Sequence, residues 1–207
     1  MKKHLKWIIP LAAVLVVAVL AVCWRFVYPK LIGYGFAREV SQTEREARMA
    51  IVNQAEGWLG TREGERRHGQ ILELYNTHEP LAQGYAVTPE DNWCAAFGSV
   101  VAIQCGMTDI IPTECGCQRQ IALFDTMGRW VEDDGYTPLP GDYIFYCWTD
   151  KGFGDSTGWS SHVGIGAGTA GGYIKVIEGN HDDSVKIRYI PIDGMGIRGF
   201  GVPDYPA

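Results

Sequence analysis

One change of hydrophobic period divides this chain of 207 residues, and it falls at Pro140-Gly141-Asp142. Before that turn signal, apolar residues recur at the three- and four-residue steps that line one face of a helix. Ala47, Ala50, Ile51, Ala55, Trp58 and Leu59 form one such series, weakened and then closed by Gly57 and Gly60. A short helix is predicted around 71–75, a buried one over 93–104 with Gly106 as its stop, and another over 118–127. Beyond the turn the pattern becomes aromatic and alternating, at 143–148, 162–166, 173–177, 185–190 and near 197–202. Helices first and about five strands second predict an α+β fold, with a mostly antiparallel sheet packed on helices.

A different constraint sits at the N-terminus. Trp7 to Trp24 is an uncharged run of 18 residues. As a helix it would reach roughly 27 Å, close to the hydrocarbon thickness of a bilayer. Lys2, Lys3 and Lys6 precede it, which keeps that end in the cytoplasm and sends the rest of the chain outside. The expected organisation is a cytoplasmic tip and transmembrane anchor over 1–30, a linker over 31–45 and a catalytic domain over 46–207. A signal peptide cut near Val19-Leu20-Ala21, giving a secreted protein, and lipidation at Cys23 are the competing readings. All three export the body.

Charge narrows the partners. The first 30 residues carry five basic and no acidic side chains, while the whole chain is at −6, so the remainder carries −11. So acidic a body lacks the basic footprint that phosphate binding needs, and nucleic acid is excluded as a partner.

The exported part holds a Cys and a His in instructive places. Cys94 falls where a Pro- and Asp-containing loop meets the buried helix predicted at 93–104. Exposed N–H groups and the positive end of the helix dipole favour thiolate there. A thiolate nucleophile needs a base, and the base needs an orienting partner. His162 opens an alternating strand after a Gly- and Ser-rich loop at 152–161, and Glu178 and Asn180 follow one strand later, around Gly179. Period-2 geometry would put Glu178 and Asn180 on one face. Taken singly, each of these residues has an ordinary alternative as a buried thiol, a core histidine or a solvated carboxylate.

Together they form an ordered series: Asn92-Trp93-Cys94-Ala95-Ala96-Phe97, then Pro140-Gly141-Asp142-Tyr143-Ile144-Phe145, His162-Val163-Gly164-Ile165 and Ile177-Glu178-Gly179-Asn180. That series resembles the CHAP family, the cysteine, histidine-dependent amidohydrolases/peptidases of papain-like fold. Ala55-Glu56-Gly57-Trp58-Leu59-Gly60 with Glu63, and the closing Gly199-Phe200-Gly201-Val202-Pro203, look like the family's flanks. The resemblance spans roughly 47–205. It implies a bacterial peptidoglycan hydrolase, an N-acetylmuramoyl-L-alanine amidase or an endopeptidase, working without a metal or other cofactor. By resemblance Cys94 is the nucleophile, His162 the base, Glu178 its orienter and Asn180 a supporting residue. One departure is Gly164-Ile165-Gly166-Ala167-Gly168, where the family usually carries a larger apolar residue near Gly166. The rival readings are a catalytically silent cell-wall binding or assembly protein and a cysteine peptidase acting on exported proteins.

Trp148 and Trp159 flank the loop before His162 and are candidates for lining a substrate groove. His68, His78 and His181 lie in polar segments and read as solvated, as does the acidic turn 132–134. A disulfide between Cys105 and Cys115 or Cys117 suits an exported protein, and spacing leaves its connectivity open. Cys115-Gly116-Cys117 is too closely spaced for the usual zinc pair.

Overall fold

The computed structural model describes residues 2–133, 135–149, 158–192 and 195–207, with side chains described from residue 13 onward. The expected loop at 152–161 and acidic turn at 132–134 therefore lie partly outside the described residues. The chain divides into two compact units, Met1–Gly33 and Tyr34–Ala207.

The first unit is built of two helices among its described residues, α1 (Lys2–Phe26) and α2 (Tyr28–Leu31). Its large apolar side chains from Val14 to Phe26 point outward, unburied. Trp24 stacks on Tyr28 with ring centroids 4.2 Å apart. The expected span at 7–24 begins among residues whose side chains lie outside those described. Among the described residues, no helix is long and apolar enough to cross a membrane.

The second unit is α+β. Four helices come first, α3 (Gln42–Glu56), α4 (Arg66–Asn76), α5 (Cys94–Cys105) and α6 (Cys117–Thr126). Six strands follow, β1 (Trp130–Val131), β2 (Tyr143–Tyr146), β3 (His162–Ala170), β4 (Tyr173–Glu178), β5 (Lys186–Pro191) and β6 (Ile197–Gly201). They form one antiparallel sheet in the order β1-β6-β2-β3-β4-β5. The sheet thus has one strand more than the five expected. The sixth, β1, is two residues long and exists through its pairing with β6, so no local alternation announces it. The connector is also shorter than expected. Ser41 caps α3 by accepting the N–H of Glu44, so the helix starts at Gln42. Gly35 pairs with Thr169 of β3.

Helix α5 is the centre of the core. Residues 94–102 are buried on every side, which is what a helix apolar all round requires. It packs with Ile51, Val52, Ile71, Leu72 and Tyr75 of α3 and α4, and with the sheet face carrying Tyr143, Phe145, Val163, Ile165 and Ile177. The alternate residues Ile144, Tyr146, Ile174, Val176, Ile197 and Phe200 form a second buried layer, the two-residue period of a sheet covered on both faces.

The Pro140-Gly141-Asp142 turn is clamped by α3. Buried Arg48 donates to Asp142 Oδ1 at 2.8 Å and to the Pro140 carbonyl at 3.1 Å. Tyr136 and the Leu139 N–H complete the shell around the Asp142 carboxylate. Gly141 has φ +87°, and a Cβ there would lie 2.6 Å from the Tyr205 hydroxyl oxygen, so only glycine fits.

Candidate active site

Cys94 is the first residue of α5, and its neighbour Trp93 fixes the entry of the chain into the helix. The Trp93 ring is fully buried, donates from Nε1 to Glu63 at 3.0 Å and meets Phe97 edge-on. Ahead of it, Asp91 accepts from the Thr88 N–H and hydroxyl and from Tyr85. The backbone N–H of Cys94 lies in the first turn and has no acceptor within the helix.

His162 is the first residue of β3, beside Tyr146 in the β2–β3 register. Its Nε2 lies 3.2 Å from Glu178 Oε2. His162 and Cys94 also lie close enough to shift each other's pKa, and the Val163 backbone helps to lower that of Cys94. Glu178 ends β4, fully buried, and is bound on every side. Tyr146 donates its hydroxyl to Oε1 at 2.6 Å, and Arg188 Nε donates to both oxygens at 2.8 and 2.9 Å. His181 Nδ1 sits 3.2 Å from Oε2.

Two glycines make this close approach feasible. A Cβ on Gly164 would lie 2.7 Å from Glu178 Cγ and 2.6 Å from Val176 Cγ1, and one on Gly179 would lie 2.5 Å from Phe97 Cβ. Gly164 therefore leaves the space that Glu178 fills, and Gly179 lets the end of β4 press against the helix that carries the thiol.

The electrostatics follow from these contacts. A hydrogen bond from Cys117, with Sγ atoms 3.6 Å apart, holds the Cys94 thiol well below its usual range; burial opposes this, and His162 reinforces it. For His162, burial disfavours the charged ring, but Cys94 and Glu178 outweigh it and raise its pKa to about 9. Burial likewise opposes the Glu178 charge, and His162 and Arg188 overcome it to hold that carboxyl below its ordinary value. The thiolate of Cys94 pushes the Cys117 thiol well upward, and burial adds to this. These contacts together favour a thiolate on Cys94 and an imidazolium on His162, beside the buried Glu178 carboxylate.

The structure thus brings Cys94, His162 and Glu178 together. Asn180 stands differently from expectation. Strand β4 ends at Glu178 and Asn180 turns into the left-handed region, at φ 54°, so strand alternation no longer governs its side chain. It donates to Asn92 Oδ1 at 3.2 Å, tying the end of β4 to the residue before Trp93. Sequence reasoning missed Tyr146, Arg188 and Cys117. The first two sit at alternate positions of strands, but which carboxylate they meet depends on register.

Trp148 and Trp159 stand on either side of the dyad. Trp148 stacks on Tyr146 with centroids 4.7 Å apart and lies 6.3 Å from His162. With Asn180, His181 and Arg188 it borders a hollow of about 310 Å³ on the histidine side. Trp159, 76 % exposed, borders a larger cleft of about 580 Å³ that has Cys94 and Cys117 in its wall.

The remaining cysteines and histidines correct two expectations. Cys94, Cys105, Cys115 and Cys117 carry no disulfide, and Cys117 meets Cys94, not Cys105. His68 is buried beside Trp93, with centroids 4.9 Å apart, not solvated; its ring fills space between α4 and the start of α5. Among the described residues, no group of three or more His, Cys, Asp or Glu could hold a metal ion.

No family model and no curated protein sequence matches the chain. Among solved structures, the peptidoglycan hydrolase RipB from Mycobacterium tuberculosis is similar at 17 % identity and a TM-score of 0.45, over 91 % of this chain and 81 % of that one.

Proposed function

We propose that this protein is a cysteine-dependent amide hydrolase of the CHAP type that cuts peptidoglycan, as an N-acetylmuramoyl-L-alanine amidase or an endopeptidase. The observation that carries the reading is the arrangement of Cys94 at a helix start, against a His162 whose far nitrogen rests 3.2 Å from buried Glu178. A structural thiol needs no charged ring held in place by a dedicated carboxylate; a nucleophile does.

In this reading the Cys94 thiolate attacks a peptidoglycan amide carbonyl. The developing oxyanion is met by the backbone N–H of Cys94. His162, already protonated, gives its proton to the departing amine, and then takes one from the water that hydrolyses the thioester. Glu178 keeps the imidazole aligned through both transfers and stabilises its charge. Asn180 supports the site by bracing the loop that leads into Cys94. Trp148 and Trp159 offer flat apolar surfaces on the two sides of the scissile bond, suited to sugar rings or peptide. No metal or cofactor enters the scheme.

The same reading places the enzyme in a bacterial membrane, held by residues 7–24 with the catalytic unit outside. The uncharged run at 7–24 and the lysines ahead of it support this. The test is direct. The purified full chain, kept in mild detergent, should release soluble fragments from bacterial sacculi, and Cys94→Ala should release none. Mass spectrometry of the fragments names the bond. Wild-type protein that leaves sacculi of several wall chemistries intact would sink the proposal.

A further inference from the structure

We infer that Cys94 and Cys117 form a reversible disulfide that closes the active site under oxidising conditions, making Cys117 the resolving partner of the nucleophile. The inference deepens the hydrolase reading and rests on it for its consequence, though not for the bond itself.

Geometry carries it. The two sulfurs lie 3.6 Å apart as free thiols. A disulfide requires about 2.05 Å, so the pair must close by roughly 1.5 Å, shared between two side chains that each turn about χ1. Both cysteines are first residues of helices, α5 and α6. Their separation is held by a specific device and not by chance packing. Ser99 of α5 donates to the Glu114 carbonyl and accepts the Glu114 N–H, both at 2.8 Å. Glu114 Oε1 then gathers the N–H groups of Cys115 and Gly116. The short segment leading into α6 is thereby pinned to α5, with Cys117 delivered to the nucleophile. Cys115 is turned elsewhere, toward the Glu114 carboxylate and Gln83. Cys105 donates to the Ala50 carbonyl.

Access is available too. Cys94 and Cys117, 3 % and 7 % exposed, both line the 580 Å³ cleft, so a small disulfide entering it meets this pair. The chemistry balances with such a disulfide, RSSR, as oxidant. The Cys94 thiolate attacks one sulfur, forming Cys94–S–SR and releasing RS⁻. Neutralising Cys94 removes the negative charge that kept the Cys117 proton in place, and that proton passes to water. The Cys117 thiolate then attacks the Cys94 sulfur and expels the second RS⁻. Two protein thiols are oxidised, one RSSR is reduced, and the catalytic sulfur is locked and protected from over-oxidation.

The experiment equilibrates the full chain in mixtures of reduced and oxidised glutathione, quenches with acid, alkylates, and maps the cysteines by mass spectrometry beside an assay on sacculi. Expected is a linked Cys94–Cys117 peptide that rises with the oxidised fraction as activity is lost, both recovering with dithiothreitol. In Cys117→Ser and Cys117→Ala, Cys94 should instead accumulate as a glutathione adduct. Wild-type protein that yields only that adduct, or a link from Cys94 to Cys115, overturns the inference. The link is read by mass whether or not sacculi are digested. A reduced protein that forms the link yet releases nothing therefore overturns the hydrolase reading and leaves the Cys94–Cys117 bond supported.

Discussion

Replacing Glu178 by Gln removes one charge from the centre of the site while keeping its volume, and its effect follows from the contacts. Glu178 is the group that seats His162, at 3.2 Å, and together with Cys94 it raises that ring to a pKa of about 9 against the opposing effect of burial. A hydrogen bond to a charged partner contributes about 1.5–3 kcal/mol, and one pH unit corresponds to about 1.36 kcal/mol, so the loss amounts to roughly 1–2 units. The sign is fixed by which form the carboxylate favours: it stabilises the imidazolium, so its loss lets the proton leave at lower pH. Wild-type activity should hold through neutrality and fall as pH rises through about 9, where His162 loses the proton it gives to the leaving amine. In Glu178→Gln that alkaline limb should move toward neutrality, and the rate at the optimum should drop. Gln also accepts only one of the two bonds from Arg188 Nε. Arg188 is partly exposed, at 29 %, so water replaces much of what is lost and the fold should weaken by only about 1 kcal/mol. The assay is sacculus clearing across pH, with iodoacetamide alkylation of Cys94 at the same pH values and circular dichroism to confirm folding. A folded variant whose alkaline limb stays near the wild-type position would refute the role assigned to Glu178.

Two substitutions away from the reacting atoms complete the set. Gly164→Ala places a methyl 2.6 Å from Val176 Cγ1 and 2.7 Å from Glu178 Cγ; overpacking of this kind costs about 1–3 kcal/mol, and the Glu178 side chain should be driven off His162. Activity should fall further than the lowered Tm explains, as read by kinetics well below the melting temperature. Arg48→Met leaves Asp142 buried without its cation, a loss of about 3–5 kcal/mol. Because protonation relieves the stranded carboxylate, the deficit against wild type should shrink in acid, measured by urea denaturation at neutral and acidic pH.

How legible these features were in the sequence depends on the range of the forces behind them. Helices α3, α4 and α6 and strands β2, β3, β4 and β6 each write a pattern into the chain because one or both faces are buried; α5, buried all round, shows as an apolar run, and β5 is half-buried throughout. Strand β1 has two residues and no period to write. Cys94, His162 and Glu178 were legible as an ordered series, since each stands at the start or end of an element; Cys94 and His162 border clefts there, and Glu178 is buried behind His162. Cys117 was not. Its place beside Cys94 is set by Ser99 and Glu114, a polar pair between helices that no apolar pattern marks. Asn180 was placed correctly in the neighbourhood and wrongly on the strand, because the left-handed turn that redirects it is a property of the backbone after Glu178. His68 was misread for the opposite reason: polar neighbours in sequence hid an aromatic one in space.

The Gly164-Ile165-Gly166-Ala167-Gly168 run shows how much of the site is specified by missing side chains. Gly164 makes room for Glu178. Gly166 lies against the clamped turn: it exchanges hydrogen bonds with Asp142 and Gly141 at 2.8 Å, and a Cβ would come within 3.3 Å of the Asp142 and Leu139 carbonyl oxygens. A larger residue there would push on the turn that Arg48 holds. Gly168 takes φ +127° at the irregularity in the β3–β4 register, and a Cβ would sit 2.8 Å from the Gly35 N. Gly164, Gly166 and, beyond the irregularity, Gly168 therefore answer to three different neighbours: the carboxylate, the α3 clamp and the connector near Gly35. Since β3 begins with His162, the strand that carries this imidazole is positioned by contacts that need its own surface to be absent. Ile165 and Ala167, on the opposite face, supply the apolar contacts with the helices. As far as the irregularity, alternation of glycine and apolar residues lets one face of the strand carry apolar side chains to the helices while the other admits close neighbours. It follows that glycine at position 166 answers to the turn clamp and not to Cys94, His162 or Glu178.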